Sequence, residues 1–325
     1  MPEPRPPASA PRPCWGRLES PVRALTSPYL LMVLAMLCWA GNWLLARALR
    51  ADITPIGLNF WRWSTALVLL APFALPRLRA ARPVLRRHWR LLVLLGLLGV
   101  ALFQQIVYLA LQYTTAINAA IFNSTSPMVI IGISWLLFRD RISARQALGI
   151  GLSLVGVLAI VTRGQAAVLL QLHFNPGDLW ALASVPIWAL YTVLLKRRPA
   201  ELDGLVFLAT IAAVGVVAMS PIYAWDVLRG GHMAFTPATL GVILYTAVFA
   251  SVLAFVFWNH AVPAVGPNKA GLFLHLHPAF TTVLAMLFLG ETLHAYHAVG
   301  IVLIVLGIYL TTAATAPAPR PGAAA

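Results

Sequence analysis

Acidic residues are scarce: the chain holds 9 Asp and Glu in 325 residues, against 23 Lys and Arg. Charge of either sign makes up 10% of the sequence, where a soluble domain carries about 25%, so an ordinary globular enzyme is excluded. Cysteine is almost absent as well. Cys14 and Cys38 form no CxxC and no metal-ligand spacing, which removes a disulfide framework and a zinc site. No GxxxxGK[ST], HExxH, nucleophile elbow or paired carboxylates occur, so nothing points to ATP hydrolysis, metallopeptidase or acyl-transfer chemistry. The expectation is a protein that is not an enzyme and holds no cofactor and no metal.

What is abundant is apolar. Hydrophobic residues are 60% of the chain, mean hydropathy is +0.83, and the net charge is nonetheless +14. A basic excess suits nucleic acid only when it covers a water-facing surface. Here the charges sit between long apolar runs, so the partner is a lipid bilayer and not nucleic acid. Arg outnumbers Lys 21 to 2 and Ala is plentiful, a composition typical of a GC-rich bacterial genome.

Apolar runs occupy about 29–49, 55–75, 91–111, 115–138, 146–162, 178–196, 204–224, 239–261, 267–289 and 295–313. Each has the roughly 17–25 residues a helix needs to cross a bilayer, and none alternates as a membrane strand would. The predicted fold class is an all-α integral membrane protein with ten transmembrane helices. The first run, about 20 residues long, exceeds the 7–15 of a signal-peptide core, which argues against cleavage at the Ala46-Arg47-Ala48 triplet. Basic residues set the orientation. With the N-terminus inside, 18 Lys and Arg fall on the cytoplasmic side and 4 outside, so both termini are predicted to be cytoplasmic. The expected location is a bacterial inner membrane.

Residues 110–156 align with 261–307 at a constant offset of 151. Pro127 pairs with Pro278, Asp140 with Glu291, Gly149 with Gly300 and Gly156 with Gly307. A weaker echo at offset 149 matches Trp39-Ala40 with Trp188-Ala189. The chain thus reads as two copies of a five-helix unit. An odd number of spans makes the second copy enter the membrane inverted, a recurrent plan of secondary transporters, with the substrate near the midplane between the halves. The segments are a disordered cytoplasmic tail 1–28, a first repeat 29–162, a periplasmic loop 163–177, a second repeat 178–313 and a cytoplasmic tail 314–325.

These residues resemble the EamA-type family of the drug/metabolite transporter superfamily. In that family each half carries a helix with a central Pro, a short Gly-Glu link and a Gly-rich last helix. The second half reads Pro278, Gly290-Glu291-Thr292-Leu293, Gly300 and Gly307. The first half reads Pro127, Arg139-Asp140-Arg141, Gly149 and Gly156, keeping the acid but not the glycine of the link. Pro55 and Arg62 look like the family's early Pro and Arg, and Trp39-Ala40 and Trp188-Ala189 like its Trp-Ala pairs. The resemblance implies a ten-helix bundle around a central cavity and a carrier of small molecules. The expected function is a secondary transporter that exports amino acids or related compounds by alternating access. Efflux of drugs or toxic metabolites, and a passive facilitator or channel, are the alternatives.

Candidate substrate-binding residues are the polar and aromatic side chains at helical spacing within the spans. They are Trp39, Asn42 and Trp43, then Gln104, Gln105 and Tyr108, then Asn123, Trp188 and Tyr191. Amides in hydrocarbon are unfavourable unless paired, so they should point inward. His275 and His277 are the groups inside a span that titrate near neutrality. On a continuous helix their i, i+2 spacing sets the rings about 200° apart, so at most one should face the cavity. Candidates for structure and gating are Arg62, Pro127, Asp140, Pro278 and Glu291. Arg62 lies well inside a span, where a charge costs about 2.5–3.5 kcal/mol on insertion scales and needs a partner; Glu291, on the same face by topology, is the expected one. The two prolines should kink their helices and act as hinges. The glycines seven apart permit close helix packing, with a homodimer contact as the other use.

Overall fold

A backbone in apolar surroundings must satisfy its own hydrogen bonds, and this chain does so with helices. The computed structural model describes residues 27–48, 53–114, 116–165, 167–170, 175–231, 233–234, 236–289 and 292–313. The helices are α1 (Pro28–Ala48), α2 (Pro55–Arg87), α3 (Trp89–Tyr113), α4 (Ala116–Asn123), α5 (Ser126–Phe138) and α6 (Ala144–Val161). After a single turn at Ala167–Leu170 come α7 (Pro176–Arg197), α8 (Gly204–Leu228), α9 (Pro237–Val265), α10 (Pro267–Phe273), α11 (Leu276–Leu289) and α12 (Ala295–Thr312). Among the described residues the one β contact is an isolated antiparallel bridge, Ile53 to Met233. Among the described residues, eight helical stretches are long and apolar enough to cross a membrane: α3, α4 joined with α5, α6, α7, α8, α9, α10 joined with α11, and α12. In α1 the apolar part is the shorter Pro28–Asn42.

Local chemistry sets the ends. Thr54 caps α2 by accepting the Gly57 N–H at 3.0 Å, with Pro55 next in line, where its missing N–H is harmless. Asn175 and Asp178 form a capping box at α7, and Ser143 and Gln146 form one at α6. At the end of α5, Arg139 adopts the left-handed conformation (φ 59°) in which glycine is usual, so the tight turn survives without the glycine. Helix α2 runs 33 residues, well past the apolar run that ends near 75. Arg77 to Arg87 continue it as a largely exposed extension, because Ala, Leu and Arg are strong helix formers that need no burial.

The packing repeats across the two halves. α2 lies on α8 and α6 on α12, each helix against its own counterpart. α1 packs on α9 as α7 packs on α3, and α1 packs on α11 as α7 packs on α5. Exchanging the halves returns each of these contacts. At the α6–α12 crossing a Cβ on Gly149 would sit 2.6 Å from the Gly307 carbonyl, and one on Gly156 equally close to the Gly300 carbonyl. These two contacts are images of each other under the repeat, and they use the glycines inside the chain. Both halves also contain a wide π-type turn, Leu97–Leu102 in α3 and Thr246–Leu253 in α9, and both break one helix, at Ser124-Thr125 and at Leu274-His275.

The breaks correct the expectation of two proline-kinked continuous helices. Pro127 stands at the first turn of α5, and Pro278 is the third residue of α11. Lacking an N–H, Pro127 leaves the Asn123 carbonyl without its helical donor. The Met128 N–H turns to Thr125 O at 3.0 Å, and the Ser124 carbonyl is thereby released from the helix ladder.

Candidate functional site

The two breaks meet across a cavity of about 100 Å³. The carbonyl freed at Ser124 accepts a hydrogen bond from His275 Nε2 at 2.9 Å, and these residues are counterparts at the repeat offset of 151. A carbonyl can only accept, so Nε2 carries the proton. In a neutral ring Nδ1 is then the acceptor, and Ser153 Oγ of α6 stands 2.6 Å from it. His275 is 1% exposed and joins α4, α6 and α11 at one point.

Counterparts face each other around the rest of the wall. Trp39 of α1 and Trp188 of α7 meet edge to face, with ring centroids 5.2 Å apart. Gln104 lies in the wall with Phe255, and Asn123 with Leu274, each pair at offset 151. The wide turns serve this geometry, because a π-type turn loosens the carbonyl ladder. Trp39 Nε1 donates to Ala250 O at 2.9 Å, inside the α9 turn. In the α3 turn a Cβ on Gly99 would fall on the Tyr191 ring, so the glycine is what lets α3 approach α7.

Of the residues expected from sequence, Trp39, Gln104, Asn123, Trp188, His275 and His277 line the cavity, together with Arg62 and Pro278. The exclusion of one histidine by helical phase does not hold, since both line the same space. The chain is a turn and not a helix at Leu274-His275, so the 100° step between residues is lost there. His277 also reaches the backbone of Trp39.

Six residues stand elsewhere or are not described. Tyr191 is buried behind Trp188, its hydroxyl donating to Asn259 Oδ1 at 2.6 Å. Tyr108 packs in a satellite core with Ile53, Leu58, Val242 and Ile243. Asn42 is buried and Gln105 half-buried, both outside the cavity wall. The side chain of Trp43 and the whole of Glu291 lie outside the described residues, so the expected pairing of Arg62 with Glu291 is not visible.

Arg62 is 2% exposed, which rules out snorkelling to the interface. Its Nη2 donates to Asn59 Oδ1 at a long 3.4 Å, and its guanidinium lies 5.4 Å from the Trp63 ring. Among the described residues no carboxylate pairs with it. Asp140, by contrast, is fully engaged at the α5–α6 link. It accepts from Ser134 Oγ and from Lys196 Nζ, both at 2.6 Å, and Lys196 first, then Ser134, hold its carboxyl below the ordinary carboxylate range. The link is thereby tied to the end of α7.

Sequence reasoning missed Met36, Gly99, Phe103, Ala120, Val157, Phe255 and Leu274 as wall residues, and did not rank Ser124 among them. The repeat held a signal for three of these: Phe255, Leu274 and Ser124 are the counterparts of Gln104, Asn123 and His275.

The EamA-like transporter family model matches residues 26–162 and again 175–313. An uncharacterized transporter of Archaeoglobus fulgidus is 31% identical over 285 residues, covering 88% of this chain and 97% of the relative. The uncharacterized transporter YyaM of Bacillus subtilis is 26% identical, covering 76% and 81%. A WAT1-related protein of Arabidopsis thaliana is 27% identical, covering 78% and 77%. A solved crystal structure superposes with a TM-score of 0.72 at 20% identity, covering 88% of this chain and 96% of the other, a likeness of fold. With the family model matched in each half and the apolar helices on the page, the chain belongs to the EamA-like transporters and is a multi-pass membrane protein.

Proposed function

We propose that this membrane transporter is a secondary carrier that crosses the bilayer ten times, as two inverted five-helix repeats, and exports amino acids or related small metabolites by alternating access. Both termini lie in the cytoplasm of a bacterial cell, and the membrane is the inner one. The observation that carries the reading is the junction of Ser124 with His275, where one broken helix of each half meets the other in the cavity wall. Broken helices at the midplane are how carriers place polar groups in the membrane, and the interface between repeats is where such carriers rock.

The mechanism follows from the parts. Trp39 and Trp188, with Phe103 and Phe255, offer an apolar surround, while Gln104, Asn123 and the histidines supply polar contacts. Pro127 and Pro278 begin the second half-helices, so α5 and α11 can tilt about the breaks without losing an internal hydrogen bond at the proline. Opening one side closes the other because both breaks share the His275 junction. On the cytoplasmic side, Lys196–Asp140–Ser134 fastens the α5–α6 link to α7.

The test has two arms. Metabolite pools are profiled in a deletion strain and an overexpressing strain, and the compound that changes is assayed by counterflow in proteoliposomes. A pool that rises on deletion and a solute that shows trans-acceleration support the carrier. An unchanged metabolome, or uptake without trans-acceleration, overturns it.

A further inference from the structure

We infer that the cavity selects a small carboxylate with an apolar body, with Arg62 as the group that receives the negative charge. The inference rests on the carrier reading and names the substrate class of that site. It begins from hydrogen-bond accounting. Buried polar atoms in proteins are almost always paired, and those left open at a cavity define what a ligand must offer. Four residues of this wall keep a buried nitrogen without a partner: Arg62 Nε, Gln104 Nε2, Asn123 Nδ2 and Trp188 Nε1. All four are N–H donors, and one belongs to a cation. A ligand that satisfies them must be rich in acceptors and carry negative charge.

The charge ledger points the same way. Arg62 is 2% exposed and meets Asn59, the Trp63 face and the Tyr108 hydroxyl, with no carboxylate among the described residues. A guanidinium in hydrocarbon without a counter-charge is unfavourable, and a bound anion removes that penalty. Its planar fork favours a planar carboxylate. The distribution of the donors sets the rest of the ligand. Arg62, Gln104 and Asn123 belong to the first half, whereas the positions matching Gln104 and Asn123 in the second half are Phe255 and Leu274. One side of the cavity therefore takes the charged head, and Phe255 and Leu274 take an aliphatic body.

The experiment uses the full-length protein in nanodiscs, with leucine and isocaproate as carboxylate probes and leucinamide and isocaproamide as the matching amides, which keep the shape but lack the carboxylate charge. Binding is read from the shift of the thermal midpoint and from tryptophan fluorescence, since Trp39 and Trp188 stand in the wall. At least one carboxylate should saturate in the millimolar range or below, and its amide should bind about thirty-fold more weakly, as expected for loss of one hydrogen bond to a charged group. Arg62→Gln should abolish that preference, and Arg62→Lys should keep the charge but weaken carboxylate binding by losing the fork. Monodisperse elution of both variants separates loss of binding from loss of fold. Amides binding as well as acids, a carboxylate preference that survives in Arg62→Gln, or no saturable response to either acid each overturns the inference. Counterflow distinguishes its failure from that of the carrier reading. Carboxylate binding without trans-acceleration sinks the carrier and leaves the site, and trans-acceleration of a neutral or cationic solute alone does the reverse.

Discussion

Placing a single methyl group at Gly149 or at Gly151 of α6 tests the crossing on which the two halves are joined. At Gly149 the new Cβ would lie 2.6 Å from the Gly307 carbonyl oxygen and 3.3 Å from the Thr311 nitrogen, both backbone atoms that cannot rotate aside. The helices must part, and overpacking of this kind costs about 1–3 kcal/mol. Against that, Gly→Ala gains about 1 kcal/mol of helix propensity. At Gly151, two residues along the same helix, nothing lies within 4 Å, so the propensity gain stands alone. Gly151→Ala is thus expected to stabilise by about 1 kcal/mol and Gly149→Ala to fall below it by about 1–3 kcal/mol, a separation of roughly 2–10 °C in midpoint. Thermal ramps in detergent, followed by tryptophan-detected size exclusion, measure both. Adding Gly307→Ala to Gly149→Ala should cost less than the sum of the two, because one separation of the helices accommodates both methyls. Equal midpoints for Gly149→Ala and Gly151→Ala would refute the close crossing.

Three further outcomes follow from named residues. Arg139→Gly places glycine where φ is 59° and should raise stability by about 1 kcal/mol in the same thermal assay, and a fall would mean that the stacking of Arg139 on Trp135 outweighs the backbone term. Lys196→Met should lower the midpoint near neutral pH by an amount worth less than about 1 kcal/mol, because the pair with Asp140 is partly exposed. The folded Asp140 carboxyl sits below its unfolded value, so that contribution is complete above about pH 4 and disappears as pH falls through the folded value; a gap between Lys196→Met and the parent that persists in strong acid contradicts it. For topology, Cys14 and Cys38 are first replaced by Ser, after which Arg86→Cys and Arg141→Cys should react with a membrane-impermeant maleimide only in inverted vesicles, and Gly230→Cys and Leu293→Cys only in intact cells. The opposite pattern reverses the assigned orientation.

The helical class and the family were legible because apolarity and repetition are carried by many residues at once, and no single substitution hides them. Helix ends were legible where caps do the work, as at Thr54 and Asn175, and not where composition changes gradually, as along Arg77 to Arg87 of α2. The site was half legible. Trp39, Gln104, Asn123 and Trp188 stood out as polar or aromatic interruptions of apolar spans, whereas Phe255 and Leu274 look like any lipid-facing residue until the repeat is laid over them. Tyr108 and Tyr191 misled for the opposite reason: a phenol at the right helical phase can satisfy itself against another helix, as Tyr191 does with Asn259. The breaks were the real obstacle. A proline reads from sequence as a kink, but whether it bends a helix or starts a new one depends on where the preceding carbonyls find donors, and that is a tertiary property.

Symmetry and its violation then divide the labour between packing and recognition. Where counterparts agree, they pack: Trp39 meets Trp188, and the glycine pairs shared by the two halves cross, Gly149 on Gly307 and Gly156 on Gly300. Where they differ, they line the cavity with unlike chemistry: Ser124 with His275, Gln104 with Phe255, Asn123 with Leu274. A duplicated unit placed about a two-fold axis would bring like residues face to face there, and like residues make a symmetric site suited to a symmetric ligand. At Gln104/Phe255 and Asn123/Leu274 the substitutions remove that likeness along one direction, amides on the side of the first half and apolar groups on the second. Arg62 extends the pattern, since positions 211 to 213, which match it at offsets of 149 to 151, are Ile, Ala and Ala. A cavity polarised in this way orients a solute with one charged end. Exchanging Gln104 for Phe and Phe255 for Gln in one protein should turn that polarity about and impair the binding of an amphipathic carboxylate, while leaving the total composition of the wall unchanged.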